Sequence, residues 1–402
     1  MNSVASPPNV ETSHSIATKG TDMNANQTAQ TTNFRATFER ETVETVIVGG
    51  GQCGLAVGYF LAKLSRSFVI LDEHQRVGDC WRERYDSLRL YTPRKYDGLP
   101  GMPFSRATGR FPTGAEMADY LEAYASHWEL PVRNGIGVTR VRRDSASGPF
   151  VVSTNATTYE ASNVVVATGG QHLPYVPDFA GELDADIRQF HSSDYRNASQ
   201  LQLGGVLVVG ASHSGADLAL ESADKHETWL VGRNPGQVPF NIEGLSGRAV
   251  LPLLWFAANH VLTVSTPVGR KIKDDIRSHG GPLLRYKSKH LNAAGVHRVE
   301  VRAVGAKDGK PVLEDGQVLD VANVIWCTGF RRDFSWIDMS IVDDKGWPRQ
   351  TRGVSDDVPG LYFAGLLFQH SASSMLVGGA GRDARSVAEH IEKSTRRVAS
   401  AA

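Results

Sequence analysis

Two glycine-rich hexapeptides hold the residues best suited to chemistry in this 402-residue chain. They are Gly49-Gly50-Gly51-Gln52-Cys53-Gly54 and Gly210-Ala211-Ser212-His213-Ser214-Gly215, and the second lies 161 positions after the first. In such a loop the first glycine, Gly49 or Gly210, permits a tight turn. The third position, Gly51 or Ser212, lets the backbone approach a pyrophosphate, and the last, Gly54 or Gly215, lets a helix pack closely on a strand. Unpaired N–H groups and the positive end of the helix dipole then face the phosphates. A charged residue follows each loop at the same offset: Asp72 after the first, Arg233 after the second. A carboxylate accepts hydrogen bonds from ribose hydroxyls, and Glu73 stands beside Asp72 as a second acceptor. A guanidinium instead meets a 2′-phosphate with a planar fork. The first loop therefore reads as an FAD site and the second as an NADPH site, with Gln52, Cys53, His213 and Ser214 as further loop contacts.

Both loops need a strand before them and a helix after. Thr45–Val48 is a short apolar, β-branched run, followed by a helix over Leu55–Leu64 and a strand over Phe68–Leu71. The second frame repeats this with Val206–Val209, a helix from Ala216 and a strand over Thr228–Val231. Thr113-Gly114-Ala115-Glu116 is a capping box, and Met117, Tyr120, Leu121, Tyr124 and Trp128 after it form a core stripe at helical spacing. Two strands end in matching segments, Ala167-Thr168-Gly169-Gly170 and Cys327-Thr328-Gly329. A further strand ends at Gly365, and Gly378–Asp383 opens a last helix whose N-terminus suits a flavin's pyrimidine edge or ribityl chain. The fold class is α/β, with two Rossmann-like dinucleotide-binding domains. The NADPH domain, 171–322, is inserted into a discontinuous FAD domain, 41–170 and 323–395.

Composition narrows the function further. Basic and acidic residues balance at 43 each, and no basic stripe suggests nucleic acid as a partner. Cys53, Cys80 and Cys327 are far apart and form no CxxC pair, against a disulfide framework, a zinc site or a dithiol relay. A reducing cytoplasm is the natural setting. Residues 1 to about 40 read as a disordered polar tail, within which Met23 is an alternative start. The apolar run Ala249–Val264 is interrupted by Pro252, Asn259 and His260 and is too short to span a bilayer. It reads as a buried or substrate-covering helix. No metal site, GxSxG or HExxH motif is expected to contribute.

These motifs resemble the class B, NADPH-dependent flavin monooxygenases, most closely the YUCCA-type indole-pyruvate monooxygenases and their bacterial relatives. The resemblance covers residues 43 to 392. Besides the two loops it includes Trp81 through Tyr91-Thr92-Pro93, the Leu99–Phe104 segment and both Thr-Gly segments. The family's identifying motif is half present: His191 and Tyr195 match, whereas Ala185 and Ile187 stand at its Phe and Gly positions. Tyr195 leans away from the Baeyer–Villiger branch. Thr92 stands near the position where the N-oxygenating branch places an Asn.

The resemblance implies that NADPH reduces FAD, and that reduced flavin with O2 forms a C4a-(hydro)peroxyflavin that oxygenates a small organic substrate. It assigns Thr92, His191 and Tyr195 to the catalytic cleft. Trp81, Arg89, Thr92, Thr168, Gly169, Cys327, Thr328, Gly329 and Gly365 become cofactor contacts. Gln369 and His370, just after a glycine turn, read as loop or surface residues with the substrate side as the alternative, and Asp217 is a structural partner. The rival readings are an NADPH oxidase, a flavin disulfide-type reductase and a non-catalytic nucleotide-binding regulator. Substrate identity stays open among α-keto acids, amines, sulfides and ketones, and so does a homo-oligomer.

Overall fold

The computed structural model describes residues 40–104, 110–278 and 280–401. The polar tail and Met23 lie outside the described residues, except that Arg40 already begins the first strand. The chain forms two principal sheets. In the nine-stranded sheet, Leu361–Phe363, Thr158–Val166, Arg40–Val48, Phe68–Leu71 and Val132–Arg133 run parallel in that order. Val138–Arg143 and Phe150–Thr154 extend it as an antiparallel hairpin against Thr158–Val166. The five-stranded sheet is wholly parallel: His297–Val299, Thr228–Val231, Val206–Val209, Asn323–Trp326 and Arg188–His191.

The apolar runs become strands because helices or hairpins cover both sheet faces. Val46, Ile47, Val206 and Val208 are fully buried, and each such side chain contributes about 1.5–3 kcal/mol on leaving water. The helix Gln52–Lys63 presents Leu55, Ala56 and Tyr59 to one core, where Ala380, Ala384 and Val387 of the long helix Val377–Ala401 meet them. Gly58 belongs to this contact, since a methyl there would press on Ile70 at 2.9 Å. Thr113 caps the helix Gly114–His127 with both bonds of the expected box: the Glu116 amide donates to Oγ1 at 3.1 Å, and the Thr113 amide donates to Glu116 Oε2 at 2.8 Å.

One expectation needs correction. Asn323–Trp326 is an inner strand of the five-stranded sheet, so a boundary at 322/323 cuts that sheet. The division falls after Trp326. Val324 and Ile325 are buried on both faces, and such a run looks the same in sequence whichever sheet accepts it. The apolar run does form a helix, Leu245–Phe256, but Gly247 is its only buried residue, and Leu245, Leu253 and Phe256 are exposed. It is a cover rather than a core element. No helix among the described residues is long and apolar enough to cross a membrane.

The chain crosses between the sheets twice. Leu173–Pro174 and Phe330–Arg331 belong to these crossings and pair antiparallel with each other.

Candidate active site

At the first loop Gly49 has φ +106°, and a methyl there would come within 2.7 Å of the Ala167 carbonyl oxygen. A methyl at Gly54 would overlap the Gly49 carbonyl. Gly51 faces open space. The three positions thus behave as a turn, a helix–strand contact and an approach surface. The amides of Gly51, Gln52 and Cys53 have no hydrogen-bond partner among the described residues. Asp72 closes the loop from behind: Oδ2 accepts from the Gly50 amide at 2.5 Å, and Oδ1 accepts from the His74 amide at 2.9 Å and from His74 Nδ1 at 2.8 Å. Burial would raise the Asp72 carboxyl, but these bonds outweigh it and hold the group below its usual value. Glu73 is exposed beside it. Gln52 Oε1 accepts from Trp81 Nε1 at 3.4 Å.

A depressed carboxyl contributes stability above its unfolded-state value, near pH 4, and loses it as pH falls through the folded value. Acid is therefore expected to open this loop. Asp72→Ala should abolish that acid-dependent step in thermal melts recorded between about pH 2 and 5.

The last helix supplies a residue that sequence reasoning missed. Asp383 is 1% exposed, and its Oδ2 has no partner among the described residues. Burial lifts its carboxyl to about 6. It lies close enough to Cys53 of the first loop to help raise that thiol, which burial pushes up to about 12. A methyl at Gly365 would press on Cys53 Sγ at 2.6 Å. Unpaired loop amides, an open face over Gly51 and an orphaned buried carboxyl oxygen fit the phosphates and ribityl hydroxyls of a flavin dinucleotide.

The second loop repeats the geometry. Gly210 has φ +107°, a methyl on it would overlap the Cys327 carbonyl, and a methyl on Gly215 would overlap the Gly210 carbonyl. Ser212 Oγ donates to the Gly281 carbonyl at 3.2 Å, and His213 Nε2 contacts the Pro282 carbonyl at 2.7 Å. Burial lowers the His213 pKa, so the ring is neutral and donates there. Arg233 is exposed and makes no hydrogen bond or ion pair with any described residue, leaving its fork available.

The strip Trp81–Thr92 spans the space between the loops. Tyr85 and Tyr91 both donate to Asp217 Oδ2, at 3.0 and 2.6 Å, on the helix that follows the second loop. The Tyr91 ring lies 4.5 Å from the His213 ring. Arg285 donates to the Arg89 carbonyl at 3.2 Å and the Leu90 carbonyl at 2.6 Å, and lies over the Tyr91 ring. Arg89 thus takes part through its backbone, while its side chain is on an exposed residue. Thr92 donates to Asp97 Oδ1 at 2.5 Å.

The Thr-Gly segments line the crossings. Thr168 Oγ1 contacts His172 Nε2 at 3.2 Å, and Thr328 donates to the Tyr175 carbonyl. Gly169 and Gly329 take positive φ and face open space. His191 and Tyr195 sit at the crossing and in the core beside the second loop. His191 is 4% exposed, with Nε2 on the Gly329 carbonyl at 2.9 Å and Nδ1 on Ser193 Oγ at 2.8 Å. Tyr195 is fully buried and donates to Glu221 Oε1 at 3.0 Å. Both rings have hydrogen-bond partners for their polar atoms within the protein. Gln369 is buried as well, bonded to Phe363 and Leu366 backbone groups, and does not line a substrate side.

A family model described as pyridine nucleotide-disulphide oxidoreductase matches residues 46–238. A CzcO-like oxidoreductase of Geobacillus kaustophilus is 39% identical over 344 residues, covering 85% of this chain and 96% of that protein. Probable indole-3-pyruvate monooxygenase YUCCA8 of Arabidopsis thaliana is 27% identical, over 86% of this chain and 88% of the plant protein. The flavin-containing monooxygenase from Stenotrophomonas maltophilia superposes with a TM-score of 0.69 at 25% identity, covering 88% of this chain and 99% of that one. The chain belongs to the flavin monooxygenase family and has CzcO-like oxidoreductases among its relatives.

The monooxygenase has a cavity of about 350 Å³ under the covering helix, lined by Trp255, Phe256, Asn259, His260, His370 and Arg382. Trp255 stacks on Tyr96 at 4.6 Å. Arg382 donates to Asn259 Oδ1 at 3.1 Å and Ser371 Oγ at 2.8 Å. Burial, then Arg382 and Arg352, push His370 down to about 4, so the ring is neutral beside a fixed cation. The cysteines of the monooxygenase are all free, and burial raises each thiol, Cys53 and Cys80 to about 12. A dithiol relay works through a thiolate, and burial of all three thiols disfavours that form.

Proposed function

We propose that this FAD- and NADPH-dependent monooxygenase builds its reaction site in the strip between its two phosphate loops. FAD sits on Gly49–Gly54 and NADPH on Gly210–Gly215. The carrying observation is the joint between them: Tyr85 and Tyr91, on the strip that follows the first loop, share one carboxylate oxygen of Asp217 beside the second. A flavin held on the first loop would supply hydride acceptance from NADPH and activation of O2 for transfer to a small organic substrate.

The protein's share is binding, orientation and exclusion of water. The free amides of the first loop and the Asp383 oxygen hold the flavin dinucleotide. Arg233 selects the 2′-phosphate. Trp255 and Phe256 close the substrate side. Residues 41–170 and 327–395 form the FAD domain, and 171–326 form the NADPH domain. The three unpaired cysteines support a cytoplasmic setting.

The cavity favours a particular substrate class among those the sequence leaves open. A guanidinium and two aromatic rings line one space, which suits a carboxylate on a flat apolar body. YUCCA8, by its name, acts on a molecule of that kind. Indole-3-pyruvate should therefore accelerate NADPH oxidation without peroxide release, whereas a simple tertiary amine should not. The general reading is tested by mixing NADPH-reduced protein with O2 in a stopped-flow spectrometer. A long-lived absorbance state between reduced and oxidised flavin is expected; direct return to oxidised flavin with stoichiometric peroxide identifies an oxidase.

Arg233→Ala should raise the KM for NADPH by roughly 10- to 100-fold and leave that for NADH within about twofold. Equal effects on both would remove Arg233 from the site.

A further inference from the structure

We propose that Asp97 is a positioning residue that decides whether the Thr92 hydroxyl offers a proton or a lone pair to the cofactor cleft. This rests on the reading above that the strip containing Thr92 borders the flavin.

The loop is fixed on both sides of Thr92. Tyr91 lies on the His213 ring of the second phosphate loop, and Tyr96 stacks on Trp255 of the covering helix. A methyl on Gly378, at the start of the last helix, would overlap the Tyr96 carbonyl. Thr92 is therefore held between the second loop and the end of the last helix that approaches Cys53. It is half-buried, with an open side.

Asp97 is completely buried. Its Oδ1 accepts from Thr92 Oγ1, and its Oδ2 has no partner among the described residues. Among the described residues, the charged or titratable groups beside it are Arg94 and Tyr120. Arg94, on the same loop, is engaged with Glu116 of the helix Gly114–His127. Tyr120, on that helix, accepts from the Leu99 amide at 2.6 Å and donates to the Met102 carbonyl at 2.6 Å, so its proton is committed elsewhere. Burial outweighs the Thr92 bond and the Arg94 charge, and lifts the Asp97 carboxyl to about 7.

The chemistry follows from counting hydrogens. An ionised carboxylate only accepts, so Thr92 must spend its proton on Asp97 and shows the cleft lone pairs alone. A protonated carboxyl can donate to Thr92 Oγ1, which frees the hydroxyl proton to point into the cleft. Thr92 thus becomes a donor below neutrality and an acceptor above it. A donor favours negative charge on a neighbouring flavin ring, and an acceptor favours its protonated form.

The test titrates FAD-loaded protein through the neutral range while recording the flavin visible spectrum and reduction potential. Wild type should show a one-proton transition near pH 7. Asp97→Asn, nearly isosteric, should remove it. Thr92→Val should remove it while leaving Asp97 buried, and Thr92→Ser should restore it. A transition that persists in Asp97→Asn or in Thr92→Val overturns the proposal, as does a wild-type spectrum that is flat across neutrality. Failure of the monooxygenase reading would instead appear as missing oxygen transfer with this titration intact.

Discussion

Gly215→Ala is expected to leave the protein yellow but almost unable to take electrons from NADPH. The added methyl would overlap the Gly210 carbonyl oxygen, which is backbone and cannot rotate away. Relief requires the helix His213–Ser222 to move off its strand, and the amides aimed at the pyrophosphate move with it. Strain of this type costs about 3 kcal/mol, or roughly 100-fold in NADPH affinity. The first loop lies in the other sheet and should keep its flavin. Absorbance at the flavin band, set against the rate of anaerobic reduction, separates the two effects. Gly54→Ala is the mirror experiment, because its methyl meets Gly49 in the same way. That variant should lose the flavin. Parallel loss of flavin in both variants would show that the loops do not divide the two dinucleotides.

The second large effect concerns Asp217. Its carboxylate is 7% exposed and takes two tyrosine hydroxyls on one oxygen. Asp217→Ala strands both phenols in a buried joint, at about 2–4 kcal/mol. The melting temperature should fall by several degrees, and NADPH oxidation should shift from product toward peroxide as the halves lose registration. Asp217→Asn keeps an acceptor oxygen and should recover most of both losses. If alanine and asparagine behave alike, the joint depends on packing rather than on these hydrogen bonds.

Much of this site was legible in the chain because its logic is local. Glycine spacing and β-branched runs locate both loops, and the capping box at Thr113 gives a helix start to the residue. Contacts between distant positions were not legible. Tyr85 and Asp217 are 132 residues apart, and Arg285 reaches the Leu90 carbonyl across 195. No periodicity announces such pairs. Asp97 and Asp383 read as ordinary acidic residues until burial leaves one oxygen of each without a partner among the described residues. His191 shows the converse: a histidine in a recognisable motif looks reactive until both nitrogens are found bonded. The strand Asn323–Trp326 was legible as a strand but not as to its sheet, since allegiance is decided by neighbours across the ladder.

The two crossings meet at a single place. Tyr175 donates its amide to the Gly329 carbonyl at 2.9 Å, Thr328 reaches back to the Tyr175 carbonyl, and the flanking strands pair. The stretch from Tyr175 to Gly329 therefore leaves its host and returns to it through one doorway, with its ends already in contact. Ends this close are the condition under which domain insertion is tolerated. A different nucleotide-reading unit with equally close ends could be spliced in at this doorway without redrawing the strand order of the sheet that carries the first loop.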